Sequence, residues 1–66
     1  MPNHLDFYVG EKVTYSTDYK QEHGIIKTID NKGYAFVVYS CGGDWDNYKD
    51  YTSAKTDTGQ LVHGWV

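Results

Sequence analysis

The chain contains no arginine and only six lysines, set against nine aspartates and glutamates, which leaves a net charge of −3. A protein that grips a phosphate backbone needs clustered basic residues, because phosphate neutralisation supplies most of that affinity. Arginine is also the side chain best shaped for bidentate phosphate contact. No basic stripe compensates here, so nucleic acid is disfavoured as a partner. A single cysteine, Cys41, excludes an internal disulfide and favours a reducing, cytoplasmic setting. The longest continuous apolar run is Tyr-Ala-Phe-Val-Val-Tyr at 34–39. That is far short of the ~20 residues a membrane helix needs. No charged-then-apolar N-terminal segment reads as a signal peptide, so no membrane partner is expected. Apolar residues nowhere recur at helical spacing for more than about one turn.

Aliphatic side chains are few as well, and 66 residues allow one domain and no second core. A chain this short buries only about 60% of the surface its unfolded form exposes. Aromatics carry the load instead: seven Tyr, two Phe and two Trp. Each can remove roughly 150–250 Å² from water.

Residues 1–8 read as an N-terminal arm whose Leu5, Phe7 and Tyr8 are available to dock. Glu11-Lys12-Val13-Thr14-Tyr15 reads as the first strand and Gly24-Ile25-Ile26-Lys27-Thr28-Ile29 as the second. A polar loop at 16–22 carries Tyr19 between them. Asp30-Asn31-Lys32-Gly33 is the clearest hairpin signal, since Asn and Gly tolerate the positive φ of a tight turn. Tyr34-Ala35-Phe36-Val37-Val38-Tyr39-Ser40 is the clearest strand. Both of its faces are apolar, and the preferred parity puts Phe36 and Val38 inward. Tyr51-Thr52-Ser53-Ala54-Lys55-Thr56 reads as a fourth strand. Asp57-Thr58-Gly59-Gln60 reads as a turn or one turn of 3-10 helix, and residues 61–66 as a closing strand. Five short strands at this spacing predict an all-β fold, a small five-stranded barrel over 9–66 that removes its edges by closing on itself.

The segment Cys41-Gly42-Gly43-Asp44-Trp45-Asp46-Asn47-Tyr48-Lys49-Asp50-Tyr51 gathers one Trp, two Tyr, three Asp and an Asn. Aromatics placed on a loop are either a packed lid or a recognition surface. Asp44, Asp46 and Asp50 alternate as calcium ligands do, but the Gly and terminal Glu of an EF-hand loop are missing and Lys49 intrudes. Turn-forming side-chain hydrogen bonds are the simpler role for these acids. His4, His23, His63 and Cys41 are not at metal-ligand spacing. Neither a metal nor a cofactor is expected. No nucleophile elbow, phosphate loop or paired-acid motif is present, and so small a barrel leaves little room for a pocket of the usual ~300–1,000 Å³. The reading is non-catalytic.

Val9-Gly10-Glu11-Lys12-Val13, then Gly24-Ile25-Ile26, Phe36-Val37-Val38-Tyr39 and Leu61 occur in an order that resembles the SH3-like barrel group, which includes Tudor and KOW-type domains. The resemblance spans 9–66 and implies the fold more than an activity. In Tudor-like domains, aromatics from the first and third loops form a cage for a methylated cation. By position the resemblance implies one wall from Tyr15 or Tyr19 and others from Trp45, Tyr48 and Tyr51, with Asp44 or Asp46 facing the charge. The third loop here is longer and more acidic than such domains carry. The segment Gly43-Asp44-Trp45-Asp46-Asn47-Tyr48, with Gly64-Trp65, also resembles small proteins of bacteria and their phages, which implies no particular biochemistry.

The leading functional expectation is a non-catalytic module that engages a protein or peptide through the aromatic-acidic loop, with Tyr15, Tyr19, Asp44, Trp45, Asp46, Tyr48 and Tyr51 as binding residues. A second reading is a small phage or mobile-element inhibitor whose acids stand in for nucleic-acid phosphates. A third is a structural subunit, a homodimer closed through the two-sided strand at 34–39.

Overall fold

A computed structural model describes residues 7–30 and 32–66. The fold is all-β. Five antiparallel strands, β1 (Lys12–Ser16), β2 (Gln21–Asp30), β3 (Tyr34–Val38), β4 (Ala54–Asp57) and β5 (Leu61–His63), form one sheet in the order β4-β3-β2-β1-β5. Two short 3-10 helices, Trp45–Asp50 and Thr58–Gln60, interrupt the later connections. β4 and β5 are the two outer strands and are not paired with each other. Among the described residues, no helix is long and apolar enough to cross a membrane.

The ten residues of β2 are shared by two halves of the sheet. Residues 21–25 pair with β1, and Ile25 to Asp30 pair with β3. The register shifts between Ile26 and Thr28, a bulge that adds local bend and twist to the strand. β5 extends the first half through Val13↔His63 and Tyr15↔Leu61, and β4 extends the second through Ala35↔Thr56. The core gathers Phe7 from the arm and Val13, Ile26, Ala35, Val37 and Leu61 from every strand but β4, with Tyr15, Ile29 and Tyr39 packed against it. Thr56 of β4 is also buried.

Gly24 lies where β2 and β3 pass close to each other. A Cβ there would sit 2.5 Å from Val37 Cγ1 and 2.9 Å from the Val38 carbonyl oxygen. No larger residue fits that approach without moving a strand. At the β2–β3 turn, Gly33 has φ +96° and its N–H donates to the Asp30 carbonyl at 3.3 Å, as the hairpin pattern predicts.

Several boundaries differ from the sequence reading. β2 begins at Gln21 because the connection from β1 is tighter than a polar run implies. The Thr17 N–H donates to the Lys20 carbonyl, and the Thr17 hydroxyl accepts from the N–H groups of Tyr19 and Lys20. β4 begins at Ala54, since Tyr51 caps the 3-10 helix with its N–H on the Tyr48 carbonyl. The last strand ends at His63, after which Gly64 turns the chain with φ +82°.

The parity of β3 is the reverse of the preferred one. Ala35 and Val37 enter the main core with Tyr39 beside them, while Phe36 is only half-buried. Val38 is fully buried on the other face, directly opposite the buried Ile25. The chain thus covers Val38 itself, while Phe36 is half-buried and Tyr34 exposed on the outer side. Phe7 docks into the core, whereas Tyr8 is exposed. Leu5 lies outside the described residues.

Candidate functional site

The connection from β3 to β4 is organised by Asp44. One carboxylate oxygen accepts from Asn47 Nδ2 at 2.9 Å and the other from the Tyr51 hydroxyl at 3.0 Å. The Asp44 carbonyl accepts from the Asn47 N–H, and the Asp44 N–H donates to the Cys41 carbonyl. This is the turn chemistry expected of Asp and Asn beside glycines. The Asp44 carboxylate beside the Tyr51 phenol favours its neutral, donating form and raises its pKa. Lys27 reaches up from the β2 bulge, and its ammonium donates to the Tyr51 carbonyl at 2.8 Å. The loop is therefore tied to itself and to the sheet. Asp46 and Asp50 remain exposed. Among the described residues no three His, Cys, Asp or Glu side chains converge.

The loop's large rings are engaged too. Trp45 is half-buried, its ring edge-on to Trp65 at 5.0 Å. Trp65 stacks on His23 at 5.1 Å with the planes 3° apart, and the Lys12 ammonium lies 4.8 Å from its centroid. Its indole N–H donates to the Gly24 carbonyl at 2.9 Å. The buried Thr14 hydroxyl donates to the Gly64 carbonyl and accepts from the Val66 N–H. Residues 64–66 are thereby pinned across β1 and β2. Tyr48 is half-buried, with its hydroxyl above Gly10. Trp45, Tyr48 and Tyr51 thus form a half-buried lid against β2. Sequence reasoning left out Trp65 and His23 as members of this cluster. The available signal was the presence of a second Trp, a side chain whose area and indole N–H both call for a partner.

Tyr15 and Tyr19 lie elsewhere. Tyr15 points to the inner face at the end of β1 and meets Tyr39 edge-on at 6.0 Å. The Tyr39 and Thr56 hydroxyls share a hydrogen bond of 2.7 Å. Burial raises the Tyr39 pKa, and the bond to Thr56 partly offsets it. These two rings floor a groove of about 320 Å³ that runs along β4, with Glu22 and Gln60 at its sides. A wider depression of about 680 Å³ adjoins it through Tyr15, Asp57 and Gln60 and is flanked by Asp18 and Tyr19. Tyr19 is 95% exposed. Little room for a pocket is expected of so small a fold, yet these open surface grooves reach the usual pocket size.

A third depression, of about 530 Å³, lies beyond Asp57 over Phe7 and His63. His63 stacks on Phe7 at 4.2 Å, and its Nδ1 meets the nearly buried Glu11 carboxylate. The other Glu11 oxygen accepts from the Tyr8 N–H. This arrangement fastens the arm to β5.

The seven residues expected to bind together therefore fall into two sets. Asp44, Trp45, Tyr48 and Tyr51 belong to the lid, with Asp46 exposed on it, while Tyr15 and Tyr19 line the grooves beside β4. Among the described residues no aromatic pair joins the two sets. Comparison with protein-family models, with curated proteins and with solved structures finds no match for this chain.

Proposed function

We propose that this chain is a non-catalytic binding module, an SH3-like barrel, that takes a protein or peptide partner in the groove floored by Tyr15 and Tyr39 and flanked by Tyr19. The barrel reading draws support from the shared strand β2, the bulge within it, and the 3-10 turn that carries the chain from β4 to β5. The observation that carries the functional reading is the open aromatic groove with a fully presented tyrosine beside it. An exposed tyrosine next to a concave apolar floor is the composition of an interface anchor, because it offers large area at small entropic cost. Of the lid aromatics, Trp45 is already engaged by Trp65. Their part is to hold β1 to β3 still, so that the groove keeps its shape.

The test is selection of displayed peptides on the wild-type protein, followed by comparison with Tyr19→Ala. Selected peptides should lose tenfold or more in affinity on the variant, about 1.4 kcal/mol, with its melting temperature unchanged. Peptides that bind both proteins equally, or that lose affinity only on lid variants that still fold, would place the contact elsewhere.

A further inference from the structure

β4 is an outer strand, so among the described residues one row of its backbone groups has no strand beside it. The row can be identified. The Thr58 N–H donates to the Gly33 carbonyl at 3.1 Å, just beyond the pairing Tyr34↔Asp57. In an antiparallel ladder hydrogen-bonded and non-hydrogen-bonded pairs alternate. Thr56 and Ala54 therefore face β3, and the N–H and C=O groups of Lys55 and Asp57 face outward. The Tyr15–Tyr39 groove runs along this same edge. A strand laid beside β4 would place alternate side chains over it.

Charge selects the occupant. Glu22, Asp57 and Lys55 line the Tyr15–Tyr39 groove, and Asp18, Asp57 and Lys20 line the depression beside it, which leaves an excess of one acid. The Lys55 ammonium lies 4.4 Å from the centroid of Tyr34, and the Asp57 carboxylate accepts from the Gly59 N–H, so Glu22 and Asp18 are the acids left facing the grooves. Lys20 meets Glu22 only at 3.6 Å, with both side chains about half exposed. Such a pair is worth little and exchanges easily for a better one. A second copy of this chain is a poor occupant. Its own β4 would present only Ala54 and Thr56 to the groove, side chains too small to fill it.

We infer that the partner is an extended basic segment that adds as a sixth strand to the outer edge of β4 and lowers a lysine or arginine into the Tyr15–Tyr39 groove. The aliphatic stem lies on the two rings and the charge meets Glu22. This rests on the binding-module reading and names its ligand class.

The probe is a capped peptide of about six residues, the usual strand length, alternating threonine with lysine. It is titrated into ¹⁵N-labelled protein beside a glutamate-for-lysine twin and a twin N-methylated on alternate amides. Expected are shifts at residues 54–57, Tyr15 and Glu22, and slowed exchange of the Lys55 and Asp57 amides. The glutamate twin should bind at least tenfold more weakly, and the N-methylated twin should not bind. Glu22→Gln should narrow the preference for lysine, and added salt should weaken binding. Binding that survives N-methylation, or dimerisation of the free protein through β4, overturns the inference. So does silence at millimolar peptide. If displayed peptides still depend on Tyr19 in any of those cases, only strand addition has failed. If they do not, the binding-module reading falls with it.

Discussion

Replacing Gly24 with alanine adds a single carbon where β2 and β3 pass close to each other. That carbon would lie 2.5 Å from Val37 Cγ1, 2.9 Å from the Val38 carbonyl oxygen and 3.0 Å from Tyr39 Cδ1. Ordinary carbon contacts are at about 3.5–4.0 Å. Val37 and Val38 are fully buried and Val38 contributes backbone, so neither can swing aside. β2 and β3 must part instead. Overpacking of this kind costs about 1–3 kcal/mol. Reduced freedom of the unfolded chain returns about 0.4–1 kcal/mol. With three contacts violated at once, a net loss of about 2 kcal/mol is expected. The whole fold of 66 residues is worth roughly 3–10 kcal/mol. At about 4–8 °C per kcal/mol, the melting temperature should fall by ~10–15 °C. Urea and thermal melts followed by tryptophan fluorescence give the number. Val37→Ala alone should cost about 2 kcal/mol through lost burial and a cavity. The double variant should be less damaged than the sum by about 0.5–1 kcal/mol, because the nearest obstacle is gone while the Val38 carbonyl remains. A Gly24→Ala protein that melts within a couple of degrees of wild type, or a strictly additive cycle, would refute the close crossing.

The lid makes a second prediction. Trp65→Ala should destabilise by ~2 kcal/mol, below the 3–5 expected for a fully buried ring. Trp65→Phe should lose only about 0.5–1.5 kcal/mol with the indole bond to Gly24, and equal losses in urea melts would contradict the assigned contact. Asp44→Ala should let the Tyr51 phenol titrate earlier, since the carboxylate that holds its proton is gone; absorbance at the tyrosinate band, with Tyr51→Phe as reference, reads this directly. Tyr39 sets an alkaline limit. Its folded pKa lies above the unfolded value, so its contribution is intact below about pH 10 and is lost as pH rises through the folded value, the unfolded state giving up its proton first. Tyr39→Phe should flatten the fall in stability above that pH, and an unchanged slope would show that Tyr39 does not cause it. Tyr19→Ala should change stability by less than about 0.5 kcal/mol, and a larger loss would mean that its ring packs.

Much of the fold was legible because its signals are local. Gly33 at the hairpin, the β-branched run in β3 and the turn at 57–60 each depend on a few neighbouring residues. The binding site was less legible. An aromatic-rich segment such as 41–51 has the same composition as a lid or as a recognition surface. The difference lies with Trp65, His23 and Lys12, which come from remote parts of the chain. The groove was missed as a cavity because Tyr15, Tyr39 and Gln60 are spread over 45 residues and meet only when β2 bends.

The amino-acid sequence by itself determined that the chain is all-β and that the β2–β3 turn falls at Gly33 and the break after β3 before Gly42 and Gly43. Those properties follow from φ preferences and side-chain branching. Only the tertiary structure decided which face of β3 is inside. Ala35, Val37 and Tyr39 are as apolar as Phe36 and Val38, so alternation alone cannot choose between them. Gly24 favours that choice, since the absence of a Cβ leaves room on the inner face for Val37 and Tyr39.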